Sequence, residues 1–300
     1  MRGRIVRGVG GFYYVETEDG LIYACRARGI FRKDKVKPLP GDTAEFTVTH
    51  EEDREGNLTQ ILPRKNALIR PAVSGVDQAL LFFSVCRPDP STLLLDRYLL
   101  MLGQQDLPAL LCFNKVDIAG PGEKERLEEV YSKAGYPLFF VSVKTGEGTD
   151  ALLNALAGKT TVLAGPSGAG KSSLINRICP AAEAQTGELS RKLARGKNTT
   201  RHSELFRIGQ AAGSCDSWLI DTPGFTALML PDTRPEELAG AYAEFQQFRG
   251  RCRFATCMHD SEPDCAVRQE VEQGRICAER YENYRKLLKE LKDREENRYR

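Results

Sequence analysis

Gly165-Pro166-Ser167-Gly168-Ala169-Gly170-Lys171-Ser172 is the stretch that decides the fold. It fits the pattern G-x-x-x-x-G-K-S, follows the apolar run Thr160–Ala164 and opens a helical pattern. That context is what a phosphate loop requires. Its glycines let backbone amides face phosphate oxygens, and the helix N-terminus adds partial positive charge. In this pattern Lys171 reaches the β- and γ-phosphates, and the Ser172 hydroxyl binds Mg²⁺. Ser173 joins the nucleotide-binding set. The competing reading is a glycine-rich turn with a chance Lys-Ser. Taken alone, the loop announces phosphate and leaves the base open.

The base is read upstream. Asn114-Lys115-Val116-Asp117 leaves the apolar run Ala109–Phe113. Asp117 can accept from guanine's ring N–H and exocyclic amine, a donor pair that adenine lacks, so a wrong base would leave a desolvated carboxylate unpaired. Lys115 can lie along the base plane, and Asn114 can tie this loop to the phosphate loop. Ser142-Val143-Lys144, after the run Leu138–Val141, can bring backbone amides to the guanine oxygen. Alone, such a polar tetrapeptide could equally cap a helix. Its position after a strand, in a chain that also holds a phosphate loop, favours base recognition. Asp221-Thr222-Pro223-Gly224 follows the run Trp218–Ile220. There Asp221 suits Mg²⁺, and Gly224 can bring its amide to the γ-phosphate. In an ordinary guanine-nucleotide GTPase the phosphate loop comes first and the base motif late. Here the order is reversed, as in a circular permutation.

Between the phosphate loop and Asp221 lies Gly196-Lys197-Asn198-Thr199-Thr200-Arg201-His202. Thr199 or Thr200 is the expected switch threonine of the Mg²⁺ shell, Thr200 being the first choice. The stretch is basic and poor in apolar residues, as expected of a segment that orders only with its ligand; a plain surface loop is the alternative. Phe225 stands where Ras-type enzymes carry a water-orienting glutamine. Phenylalanine cannot orient water, so intrinsic hydrolysis should be slow. His202 is the local catalytic candidate, since imidazole hydrogen-bonds water near neutral pH. The alternative is a loop histidine without a chemical role.

Working outward, residues 67–228 alternate strand and helix patterns. The strand candidates are Gln78–Val85, Ala109–Phe113, Leu138–Val141, Thr160–Ala164 and Trp218–Ile220, with helical patterns at Thr92–Gly103 and Glu123–Ala134. Continuous apolar strands between helices predict a mostly parallel α/β sheet covered on both faces. Every motif follows a strand candidate, where ligands of such sheets bind.

Residues 1–66 read as all-β. Short β-rich runs at Ile5-Val6, Phe12–Val15, Leu21–Ala24 and Ala44–Val48 are separated by turn signals at Gly10-Gly11, Asp19-Gly20, Pro40–Asp42 and Gly56-Asn57. A small barrel of the oligonucleotide-binding (OB) type fits this size. Arg26, Arg28, Arg32, Lys33, Lys35 and Lys37, close to Tyr23 and Phe31, suit RNA phosphates and base stacking. A solvated hairpin over an ordinary aromatic core is the competing reading.

Residues 229–300 form a helical C-terminal region. Cys252, Cys257, His259 and Cys265 make a C-x₄-C-x-H-x₅-C cluster, a closed ligand set for one structural Zn²⁺. Reduced buried thiols or a disulfide are the alternatives. Cys277 is spare, and Cys25, Cys86, Cys112, Cys179 and Cys215 read as core. A charged helix runs from Glu279 to about Arg294, with Tyr281, Tyr284, Leu287, Leu288 and Leu291 forming one apolar stripe.

A net charge of +2 excludes a bulk polycation, so any nucleic-acid contact must come from local patches. Nine cysteines in 300 residues, clustered late, do not resemble a secreted disulfide framework. No apolar run reaches membrane-spanning length, and no apolar signal region follows Met1-Arg2-Gly3-Arg4. The expectation is a cytoplasmic monomer without membrane contact.

The motif order, Phe225 and the Cys252–Cys265 cluster together resemble the ribosome small subunit-dependent GTPase A family. The resemblance spans the chain: barrel, permuted GTPase domain and zinc domain. It implies a GTP/GDP- and Mg²⁺-dependent factor in late maturation of the small (30S) subunit. Such a factor binds the subunit and its 16S rRNA in the GTP state, hydrolyses GTP when docked, and leaves. Thr199, Thr200 and His202 meet the family's threonine-histidine pattern. Two other readings stand beside it. One is an RNA-binding checkpoint whose slow hydrolysis only times release; the other is a P-loop kinase or ATPase with no RNA target, against which Asp117 and the permuted order argue.

Overall fold

The computed structural model describes residues 1–27, 31, 37–68, 71–179, 203–209, 216–222 and 233–298. In chain order the strands are β1 (Arg2–Val9), β2 (Phe12–Glu16), β3 (Ile22–Ala27), β4 (Thr43–His50), β5 (Glu55–Ile61), β6 (Ala67–Leu68), β7 (Val73–Ser74), β8 (Gln78–Ser84), β9 (Ala109–Asn114), β10 (Leu138–Val141), β11 (Thr160–Ala164), β12 (Glu204–Arg207) and β13 (Trp218–Asp221). The helices are α1 (Thr92–Gly103), α2 (Glu123–Tyr131), α3 (Thr149–Leu156), α4 (Lys171–Ile178), α5 (Ala243–Gln246), α6 (Ala266–Glu272) and α7 (Ala278–Arg298). The chain divides into two compact units, Met1–Leu80 with Thr149–Ala164 and Lys171–Thr226, and Leu81–Gly148 with Gly165–Gly170 and Ala227–Arg300.

The first unit contains a closed five-stranded barrel of OB type. β1 pairs with β2, β2 with β3, β3 with β5, β5 with β4, and β4 back with β1. Closure removes the exposed edges that would otherwise invite pairing with other chains. Ile5, Val15, Cys25, Ala44, Phe46 and Leu58 fill its interior. Two expectations are corrected here. Gly56-Asn57 is not a turn but lies inside β5. A Cβ on Gly56 would sit 2.8 Å from Thr47 O and 3.1 Å from Cys25 Sγ, so glycine is what lets β5 fit between its neighbours. Tyr23 and Phe31 are 4% and 8% exposed and belong to the core, so neither offers a face for base stacking. Arg26 does lie over an aromatic ring, that of Phe12, at 4.7 Å. Of the other basic positions, Lys37 lies among the described residues; Arg28, Arg32, Lys33 and Lys35 lie outside them.

The barrel continues into the α/β part of the same unit through β12, which pairs antiparallel with β1 on one side and with β13 on the other. β13 in turn runs parallel to β11. Sequence patterning did not single out β12, a four-residue strand. Charged pairs fasten this seam: Arg7 to Glu204 at 3.3 Å and Arg207 to Glu16 at 2.8 Å. Arg4 donates to Thr160 Oγ1 at 2.8 Å. The buried Trp218 ring takes Arg4 at 5.2 Å and Arg207 at 4.7 Å, cation–π contacts that join β1, β12 and β13.

In the second unit β8, β9 and β10 lie side by side, with β9 and β10 parallel. β9 and the part of β8 from Leu81 onward are buried throughout, as the continuous apolar runs predict. Ser91 caps α1, its side chain accepting from Leu94 N at 3.2 Å. The C-terminal region packs as expected: Tyr284, Leu287, Leu288 and Leu291 of α7 are buried with Tyr242, Phe245, Phe248 and Ile276, while Tyr281 is half-buried. Inside this region Arg280 is 2% exposed. Its guanidinium bonds Asp96 of α1, and donates to Glu244 of α5 at 2.8 Å and 3.2 Å. Asn283 and Tyr131 complete the Asp96 carboxylate at 2.9 Å and 3.1 Å. Among the described residues no helix is long and apolar enough to cross a membrane.

Candidate nucleotide site and metal centre

In the second unit the base motif and the first six residues of the phosphate loop are bound to each other. Asn114 Nδ2 donates to Ala169 O at 2.9 Å, and its Oδ1 accepts from Val143 N at 3.0 Å. One buried side chain thus holds three loops in register, because an amide has a donor and an acceptor at opposite ends. Lys115, in the left-handed region at φ 72°, donates from Nζ to Gly168 O at 2.8 Å. Ser142 Oγ donates to Asp117 Oδ1 at 2.7 Å and accepts from Thr145 N at 3.1 Å. The Asp117 carboxylate is therefore oriented, yet exposed towards solvent, as a base-reading group must be. Val143's amide is directed at Asn114, so it shapes the loop; Lys144 is exposed beside it.

Two glycines of the loop are dictated by close approach. A Cβ on Gly165, at φ 150°, would sit 2.0 Å from Phe82 O. On Gly170, at φ 102°, it would sit 2.5 Å from Asn114 Nδ2. Neither position tolerates a side chain, and both lie where L-residues are disfavoured.

In the first unit Lys171 opens α4, and Ser172 and Ser173 follow it, exposed. Asp221 ends β13 beside Leu163 of β11. Burial pulls the Lys171 ammonium below its ordinary range, with Asp221 pulling it back up. Burial likewise pushes Asp221 up, opposed by Lys171. Both charges are thus short of solvation, and each stands to gain from a further opposite charge. The Thr222 hydroxyl donates to Leu163 O at 3.2 Å and fixes the chain after Asp221. Thr199, Thr200, His202, Pro223, Gly224, Phe225 and Cys215 lie outside the described residues.

Cys252, Cys257, His259 and Cys265 converge, their ligand atoms all within 4.8 Å of one another. His259 Nδ1 lies 3.5 Å from Cys252 Sγ, 3.5 Å from Cys257 Sγ and 3.4 Å from Cys265 Sγ. Cys252 and Cys265 Sγ are 4.0 Å apart. A tetrahedron with Zn–S of about 2.3 Å and Zn–N of about 2.0 Å has S–N edges of about 3.5 Å and S–S edges of about 3.8 Å. The three distances from His259 match the S–N edge, and the sulfurs, within 4.8 Å of one another, stand slightly wider than a closed site. His259 takes φ 58°, and Glu262 accepts from Met258 N and Asp260 N at 2.8 Å each, which closes the knuckle around the ligands. Tyr281 OH donates to His259 O at 2.7 Å and fixes the knuckle to α7. Cys277 is no part of the cluster, and Cys25, Cys86, Cys112 and Cys179 are buried singly.

Residues 61–231 match the RsgA GTPase family and residues 2–57 match the RsgA N-terminal domain. The chain belongs to the RsgA GTPase family. Full-length relatives named small ribosomal subunit biogenesis GTPase RsgA include one from Caldanaerobacter subterraneus, 46% identical over 100% of this chain and 98% of its own. Another, from Agathobacter rectalis, is 45% identical over 98% and 99%. The crystal structure of YjeQ from Thermotoga maritima superposes with a TM-score of 0.76 at 35% identity, covering 97% of this chain and 98% of its own. That of YloQ, described as a circularly permuted GTPase, gives 0.72 at 36%, covering 98% and 95%. The permuted order read from the motifs is therefore the order of an RsgA GTPase, and the protein is a GTP hydrolase.

Sequence reasoning missed two groups of residues. One is the buried Arg280–Asp96–Glu244 cluster. The other is Glu204, the cross-strand partner of Asp221. Their sequence neighbourhoods are ordinary charged stretches, and no local signal marks either.

Proposed function

We propose that this chain acts in maturation of the small ribosomal subunit: it binds the subunit and its 16S rRNA with GTP, hydrolyses GTP to GDP and phosphate on docking, and leaves. The observation that carries this reading is the Asn114 bridge from base motif to phosphate loop, in a chain whose relatives are named for small-subunit biogenesis. The working division is a barrel over residues 1–66, a GTPase domain over 67–228 and a zinc domain over 229–300, in a monomer of the cytoplasm.

Asp117 reads guanine, Lys115 flanks it, and the amides of Gly165–Ser172 hold the phosphates with Lys171. Ser172, Asp221 and Thr200 offer the hard oxygen donors that suit Mg²⁺, which when bound would neutralise phosphate charge. Thr199 is the alternative switch threonine, and Gly224 contacts the γ-phosphate. His202 orients the attacking water, because Phe225 cannot. The barrel's Arg26 and Lys37 make phosphate contacts. Sedimentation with isolated small subunits should recover the protein with a non-hydrolysable GTP analogue and much less of it with GDP. Binding should also weaken steeply with salt if phosphate contacts dominate. Equal recovery in both nucleotide states would remove the proposed cycle.

One structural Zn²⁺ sits on Cys252, Cys257, His259 and Cys265. Metal analysis should find one zinc per chain, and Cys265→Ala should abolish it. Chelation should lower the melting temperature by well over about 5 °C, since loss of such a site removes folding free energy directly. Full stability with no zinc bound would refute the site.

A further inference from the structure

The geometry points to Glu204 as a positioning residue of the cation site, a second negative charge beside Asp221 whose place is set by the barrel through Arg7. Glu204 lies directly across from Asp221 in the β12–β13 pair, and directly across from Arg7 in the β1–β12 pair. Residues opposite one another in antiparallel strands project from the same face, with Cβ atoms about 5 Å apart. Arg7, Glu204 and Asp221 therefore form one row across three strands. The row reads cation, carboxylate, carboxylate. Arg7 is held from the barrel side as well, its guanidinium 4.4 Å over the Tyr14 ring. Its ion pair with Glu204 is mostly shielded, with side chains 15% and 28% exposed.

Two carboxylates on one face, of which Glu204 is paired with Arg7, place more negative charge there than that one cation balances. Glu204 and Asp221 stand opposite one another in the antiparallel β12–β13 pair, so two carboxylates face each other at cross-strand range. An ammonium or an amide at position 204 would not supply that charge. A divalent cation held at Asp221 gains from it. The barrel, by gripping Glu204 through Arg7, thereby takes part in setting how strongly the GTPase core holds its cation. This rests on the reading of Asp221 as a Mg²⁺ residue.

The test is the rate of release of a fluorescent GDP analogue as free Mg²⁺ is varied, at pH 8 in the full-length protein. Glu204→Gln should raise the Mg²⁺ concentration for half-maximal retention by about fivefold, the size expected for one screened charge at this range. Release in excess EDTA should be unchanged. Glu16→Gln cuts the other charged tie between barrel and β12, without touching the row, and should leave the Mg²⁺ dependence within twofold. Asp221→Asn should shift it more than Glu204→Gln does. A Glu204→Gln shift below twofold, with Asp221→Asn still effective, would overturn the inference and leave the site reading intact. An equal shift from Glu16→Gln would also overturn it, because loosening of the barrel would then explain both. If Asp221→Asn has no effect, the Mg²⁺ assignment itself fails.

Discussion

Asp117→Asn should lower GTP affinity by about two to four orders of magnitude and create affinity for xanthosine triphosphate. The loss follows from removing two hydrogen bonds to a carboxylate, each worth about 1.5–3 kcal/mol. The gain follows because an asparagine amide can donate to the carbonyl that xanthine carries where guanine has its amine. Ser142 Oγ, 2.7 Å from Asp117 Oδ1, orients the carboxylate and would orient the amide in its place. The fold should be untouched, since Asp117 is exposed and the loop is held by Asn114 rather than by Asp117. Equilibrium binding of the two triphosphates to the variant decides the matter, and unchanged GTP selectivity would sink the assignment. Loss of both ligands together would point instead to a damaged loop.

Arg280→Met should cost about 3–5 kcal/mol of stability, the range for stripping the partner from a buried ion cluster. Arg280 is the only cation bonded to the Asp96 and Glu244 carboxylates among the described residues, and all three are buried. Burial pushes Asp96 up to about 6 even with Arg280, Asn283 and Tyr131 pulling it down. Without Arg280 the carboxylate would be forced to protonate or to draw in water. Tyr131 and Tyr242 also lose the cation that lies 5.4 Å and 4.6 Å from their rings. Adding Asp96→Asn and Glu244→Gln to Arg280→Met should restore much of the loss, because neutral amides need less than carboxylates do. Urea unfolding measures both effects. A single-variant loss below about 1 kcal/mol would mean that the cluster carries little of the C-terminal packing.

What could be read from the chain beforehand follows from the range of the interactions. Gly165 to Ser172 and the Cys252–Cys265 cluster are local: the spacing of glycines, thiols and imidazole is itself the chemistry. Strands β8, β9 and β11 were legible because burial on both faces leaves unbroken apolar runs. β5 was not, since Gly56-Asn57 has turn composition and only the approach of Thr47 and Cys25 reveals why glycine is there. Tyr23 and Phe31 look alike as stacking platforms and as core until the barrel closes over them. Arg7 and Glu204 are 197 positions apart, and Asp96 and Arg280 are 184 apart. Nothing within one stretch could have matched either pair. Such pairs appear only when β12 docks on β1, or when α7 packs on α1.

β12 lies between the barrel strand β1 and β13, the strand that ends in Asp221, so strand pairing joins the barrel to the α/β sheet of the same unit.

Control of hydrolysis by the small subunit is measured directly by GTP turnover titrated with isolated small subunits. Turnover should be slow for the protein alone and rise at least about tenfold to saturation with subunits, as expected when the water-orienting group acts only once the complex is docked. His202→Ala should lose most of that rise while retaining GTP binding. A rate that stays flat across the titration, or that rises equally with ATP, would contradict the account.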